Sequence, residues 1–193
     1  MGLQNLVQQI DDTIQGKING VHTVIPGTIQ SFDPGSCTAS VKPVMQFVKP
    51  DRTKIDYPEI SGVPVLFPQA YGQKATVAFP IKPGDGCLIL VAEQSIDYWQ
   101  YGNETETDLR YDLTNALCIV GLFRQGNPVE AEATSGNKMI LDLNGSRIEI
   151  KGDEVTINRK TTVGGNIIIN GNATVNGNIV ASGSVTCSEV ITG

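Results

Sequence analysis

Histidine occurs once in this chain of 193 residues, tryptophan once, and aromatic side chains make up 6% of it. With His22 as the sole imidazole and no G-x-S-x-G string, a Ser-His-Asp triad has no members to assemble. The phosphate-cradling strings G-x-x-x-x-G-K-S/T and G-x-G-x-x-G are missing as well. Acidic pairs at Asp11-Asp12 and Glu104/Glu106 fall in a polar helix face and a charged loop, where solvation accounts for them without acid–base work. Basic residues are in deficit: 14 Lys plus Arg against 20 Asp plus Glu leave a net charge of -6. A surface of that sign repels phosphate backbones, so no specific nucleic acid is expected as a partner. No run of eighteen apolar residues exists, and the opening MGLQNLVQQIDD has neither a basic stretch nor a cleavable apolar core. The product is therefore expected to stay in the compartment where it is made. Four cysteines, Cys37, Cys87, Cys118 and Cys187, lack paired spacing; they fit neither a disulfide framework nor a zinc site and read as reduced thiols. These absences argue against an enzyme and against a bound cofactor or metal.

Aromatics and prolines also run out part-way. All eleven aromatic residues lie between Phe32 and Phe123, all ten prolines between Pro26 and Pro128, and neither type occurs from Asn137 onward. A core is normally anchored by large aromatic side chains, so these last 57 residues must be held together in another way. What they have is a repeat. Gly165, Gly171, Gly177 and Gly183 recur every six residues, giving GNIIIN, GNATVN, GNIVAS and GSVTCS, and EVITG keeps the alternation without the glycine. The third and fifth positions of each hexad are apolar: Ile167 and Ile169, Ala173 and Val175, Ile179 and Ala181, Val185 and Cys187, then Ile191. Period two predicts short strands, and glycine with a polar neighbour predicts the turns between them. The same alternation begins upstream at Ile140-Leu141-Asp142-Leu143, Arg147-Ile148-Glu149-Ile150 and Glu154-Val155-Thr156-Ile157.

A single-chain left-handed β-helix uses about three hexads per triangular coil and must stack several coils to bury a core, whereas four hexads make little more than one. Three identical chains wound about one axis solve this, because each hexad then contributes to a layer of six inward side chains. We therefore expect a homotrimer with the nine apolar residues from Ile167 to Ile191 as its core. The inward side chains shrink from two isoleucines to Val and Cys, so such a prism tapers.

Ahead of this tail, residues 3 to 18 predict one amphipathic helix, with Leu3, Leu6, Val7, Ile10, Ile14 and Ile18 at helical spacing. Strand patterns follow at Val24–Phe32, Thr38–Val48, Val63–Phe67, Ala75–Phe79 and Cys87–Val91, then Leu117–Leu122, with an irregular stretch between Ser95 and Ala116. Five short strands in about seventy residues suggest a small barrel of the OB type. The expected fold is all-β, in three parts: a helix at 1–20, an OB-fold barrel at 21–128 and a trimeric β-helical prism at 129–193. Tyr98, Trp99 and Tyr101 read either as a stacking platform or as packing residues.

Several strings in the barrel part are recognisable. Val63-Pro64-Val65-Leu66-Phe67-Pro68, Phe79-Pro80-Ile81, Gly84-Asp85-Gly86, Glu93-Gln94-Ser95-Ile96-Asp97-Tyr98-Trp99 and Asp108-Leu109-Arg110-Tyr111-Asp112-Leu113-Thr114-Asn115-Ala116 follow one another in that order. Over roughly residues 20 to 125 the chain resembles the N-terminal domain of the phage central-spike family called baseplate assembly protein V or Gp138-like. The resemblance implies a virion protein, assembled in the host cytoplasm: a trimeric needle at the tip of a contractile tail. Its collar would sit on the baseplate hub protein, and its β-helix would point at the host envelope and open the outer membrane on sheath contraction. The chain departs from the pattern at Tyr111 and Asn115, where relatives tend to have His and Asp. It also lacks the apical H-x-H pair that binds iron in many relatives. A blunt, metal-free apex is expected, either covered by a separate tip-capping protein or solvated by Glu189 and the terminal carboxylates. A tail-tip adaptor or receptor-binding module is the alternative function. A hexapeptide-repeat acyltransferase would need more coils and a catalytic histidine.

Overall fold

The computed structural model describes residues 3–49, 51–102 and 109–188. It divides into two units, residues 1–126 and 127–193.

In the first unit, α1 (Leu3–Asn19) is exposed from Gln4 to Asn19, with Leu6, Val7, Ile10, Ile14 and Ile18 uncovered. Lys17 in its last turn opposes the negative end of the helix dipole, and Gly20 follows where the helix stops. The body is a five-stranded antiparallel sheet built from β1 (Val24–Asp33), β2 (Thr38–Pro43), β5 (Ile60–Pro64), β8 (Gly86–Val91) and β9 (Ala116–Val120). Two small hairpins, β3 (Gln46–Val48) with β4 (Lys54–Asp56) and β6 (Gln69–Ala70) with β7 (Ala75–Thr76), stand apart from it. The sheet order is β5-β2-β1-β8-β9, and register shifts between Ile29 and Ser31 on β1 let the sheet curl. Its two edges then meet. Val65, just past β5, bridges Cys118 on β9 in parallel, and Leu66 N–H donates to the Cys118 carbonyl at 2.8 Å. The result is a barrel-like half-closed sheet with few helices.

Alternation puts Ile25 and Ile29, Ala39 and Val41, Val63, Cys87 and Ile89, Ala116 and Cys118 on its inner face. Each of the larger aliphatics contributes about 1.5–3 kcal/mol by leaving water. Cys87 and Cys118 are fully buried there, and the hydrogen-bonding contact with Cys87, reinforced by burial, pushes the Cys118 thiol far above the usual thiol range.

The irregular stretch folds into a five-residue helix, α2 (Asp97–Tyr101), and a 3-10 turn at Leu113–Asn115. Asn115 is the one buried polar residue among those described, and its amide Nδ2 donates to the Leu109 carbonyl at 3.1 Å. The strand directions place this loop at the end of the barrel where β1 begins, beside His22, whose N–H donates to the Tyr111 carbonyl. Residues 121–126 leave from the other end.

The second unit opens with α3 (Pro128–Ser135), which sequence patterning had not indicated. Its start is nevertheless written in Asn127-Pro128-Val129-Glu130: the Asn127 side chain accepts from Val129 N–H at 3.0 Å, Glu130 reaches back to the Asn127 N–H, and proline takes the first helical position. A meander of β10 (Met139–Leu143), β11 (Ser146–Ile150) and β12 (Val155–Ile157) follows. Beyond Ile157 no strand is assigned among the described residues, although strands were expected to continue through the hexads.

Candidate functional site

The glycine-hexad tail is not shapeless. Its backbone bends at residues 164–165, 170–171, 176–177 and 182–183, a period of six, and each bend ends on a hexad glycine. Four non-bend residues separate one bend from the next. Between residues 159 and 188 the described residues make no backbone–backbone hydrogen bond within the chain. That explains the missing strands: a strand is defined by a paired neighbour, and this path brings none from its own chain.

The expected core residues that the structure describes are all exposed. Ile167, Ile169, Val175, Ile179 and Val185 lie between 54% and 75% exposed, and Ala173, Ala181 and Cys187 are exposed too. The alternate register is barer still, with Ile168 at 83% and Val180 at 92%. Ile191, like Glu104 and Glu106, lies outside the described residues. The hexad glycines are open as well. A Cβ built at Gly165, Gly171, Gly177 or Gly183 meets nothing within 4 Å, and none of them has a left-handed φ. Nothing in the single chain requires glycine at these positions.

Ahead of the tail, charge is concentrated and internally matched. Lys138 Nζ donates to Glu132 Oε1 at 2.7 Å and to Glu149 Oε2 at 2.8 Å, while Arg147 reaches Glu132 Oε2 at 2.7 Å and Asp142 Oδ2 at 2.6 Å. The Lys138 hydrogen bonds hold Glu132 and Glu149 below the usual carboxylate range, and the Arg147 hydrogen bond does the same for Asp142. This network ties α3 to the meander. Beside it runs an open groove of about 520 Å³ lined by residues such as Thr134, Met139 and Ile150. Among the described residues, no group of three His, Cys, Asp or Glu is placed to hold a metal ion.

In the first unit, Tyr98, Trp99 and Tyr101 on α2 are 61–70% exposed, so they do not pack into the barrel core. His22 stacks edge-on against Tyr57 with ring centroids 5.6 Å apart. Asp112, held below the usual range chiefly by the Thr114 N–H, caps the 3-10 turn.

Compared with known protein families, residues 25–121 match the model described as the phage protein Gp138 N-terminal domain, a span of just over half the chain. The chain belongs to that family. It is a Gp138-like phage structural protein, associated with the virion. A comparison with curated proteins found no match.

The matched span of the Gp138-like chain begins at Ile25, the first buried residue of β1, and ends at Gly121, one residue past β9. It thus coincides with the curled sheet, and its recurring strings acquire physical roles. Val65 closes the barrel onto β9, while Phe67 sits between Phe32 and Phe79, with centroids 6.5 and 5.2 Å away. In Gly84-Asp85-Gly86, Gly84 takes φ +94°, and the Asp85 carboxylate accepts from Lys82 N–H at 2.7 Å. Gly86 lets the outgoing main chain cross directly over it, since a Cβ there would fall on the Leu122 carbonyl oxygen. Asn115, one of the two departures noted in the sequence, is hydrogen-bonded, so its loop retains a buried polar anchor.

Proposed function

We propose that this protein is the homotrimeric central spike of a contractile tail's baseplate. Its curled sheet serves as an OB-type collar on the hub protein, and its tail serves as one side of an intertwined β-prism that opens the host outer membrane. The observation that carries this reading is the state of residues 159–188. Apolar side chains alternate along a path that turns every six residues, yet its described residues make no backbone–backbone hydrogen bond within the chain. Main-chain N–H and C=O groups are strong, obligatory hydrogen-bonding groups, and exposed isoleucines favour leaving water. Two further chains on the same path satisfy both needs. They also give the hexad glycines a purpose that the single chain does not supply, namely close approach of neighbouring backbones.

The collar has two unlike ends. The chain exits at one, and the aromatic loop with residues 20–23 lies at the other, so the second is the end that a hub would meet. Tyr and Trp are the residue types that dominate such contacts. The same three exposed aromatics favour a second reading, a tail-tip adaptor that binds a receptor without piercing. Adding the purified protein to host cells before phage separates the two. No effect on phage adsorption supports the spike, and saturable binding that blocks adsorption overturns it in favour of the adaptor.

A further inference from the structure

The meander of the second unit is built inside out for a single chain. Its registers stack two apolar rungs on one face, Met139–Ile150–Val155 and Leu141–Ile148–Ile157. Every charged residue of the three strands, Asp142, Arg147 and Glu149, lies on the other face. A helix beside a sheet ordinarily covers the apolar side. Here α3 is tied instead to the charged side, through Glu132 to Lys138 and Arg147. Most of the apolar face remains bare: Ile150 is half-buried, but Met139, Leu141 and Val155 are each more than half exposed, and Ile148 and Ile157 are exposed as well.

We infer that this face is a second interface between copies of the chain, in which three meanders pack their apolar rungs around the same axis upstream of the hexads. The inference rests on the trimeric reading above and extends it to residues that the glycine repeat does not mark. Two observations select further copies of the chain as the occupant. The face carries no charge, so a symmetric arrangement brings no like charges together, and the charges that exist are paired on the opposite side. Its exposed apolar area is on the order of 500 Å² per chain, short of the roughly 800 Å² per partner of a standard stable interface. A pair of such faces alone is therefore insufficient. A threefold arrangement, in which each face touches two neighbours and the chain runs on directly into the exposed hexads, supplies the remainder.

The test uses the full chain with Cys37→Ser and Cys187→Ala, which removes the two exposed thiols, treated with a short bis-maleimide. Leu141→Cys in this background is expected to give covalent dimers and trimers on a denaturing gel, several-fold more than Thr156→Cys on the charged face. Light scattering on the same samples before cross-linking gives the oligomeric mass. A trimer in which Leu141→Cys links no better than Thr156→Cys overturns this inference and leaves the hexad prism standing. A monomeric mass at micromolar concentration, in this background and in the unsubstituted chain alike, overturns the trimer and this interface with it.

Discussion

Replacing Gly86 with alanine tests whether the path by which the chain leaves the barrel is fixed by this one residue. The added Cβ falls on the Leu122 carbonyl oxygen and 2.8 Å from its carbon, and both are main-chain atoms that no rotamer change can clear. Relief requires residues 121–123 to move. That movement strains the bond from Gly121 N–H to the Gly86 carbonyl, now 3.0 Å. Overpacking of this kind costs about 1–3 kcal/mol, and a lost backbone hydrogen bond adds about 1 kcal/mol. For a barrel unit of this size, each kcal/mol lowers Tm by roughly 4–8 °C. The expected outcome is a drop of about 8–32 °C in the calorimetric transition of the first unit. Gly164→Ala, where a Cβ meets nothing within 4 Å, serves as the control and should leave that transition in place. A Gly86→Ala protein that melts with the unsubstituted one would refute the reasoning, because the crossing would then be soft.

Three further outcomes are expected. Ile169→Asp should abolish assembly, since three carboxylates would converge without water or partner, whereas Thr174→Asp on the alternate register should assemble normally; size-exclusion chromatography compares the two. Asn115→Ala should lower the denaturant midpoint of the first unit by the equivalent of about 1–3 kcal/mol, because the Leu109 carbonyl loses its buried donor. Acid should loosen α3 from the meander. The pKa values of Glu132, Asp142 and Glu149 are depressed by Lys138 and Arg147, so the unfolded state binds more protons as the pH falls. Their contribution is full above the ordinary carboxylate range and is lost as the pH falls below about 4 through the depressed values, which amide exchange in residues 128–135 would register as a drop in protection relative to the intrinsic rate at each pH.

Much of the architecture was legible because it follows from local patterns. The helix stripe from Leu3 to Ile18 appears as α1, and the apolar alternation around Ile25, Val41 and Ile89 appears as the inner face of the sheet. Strand ends were less legible. The stretch from Thr38 to Val48 breaks in two after Pro43, which cannot donate to a ladder, and Ala75–Phe79 shortens to a two-residue bridge. Helix α3 was missed for want of an apolar stripe, since PVEAEATS is held by its cap and by ion pairs, although the Asn-Pro-x-Glu start was there to be read. The hexads were legible as a period, and the backbone keeps that period in its bends. Among the described residues no strands are assigned there because the path brings no paired neighbour from its own chain. The apolar face of the meander was legible in the alternation of Leu141, Ile148 and Val155, but its exposure was not, because alternation says which side a residue takes and not what covers it.

The most direct measurement is the mass of the purified, unsubstituted protein in solution by light scattering, at micromolar concentration. The account predicts about 62 kDa, three times the 20.6 kDa chain, unchanged on tenfold dilution. A particle of one chain's mass would contradict it, for residues 159–188 would then stand in water with no backbone–backbone pairing and their isoleucines bare.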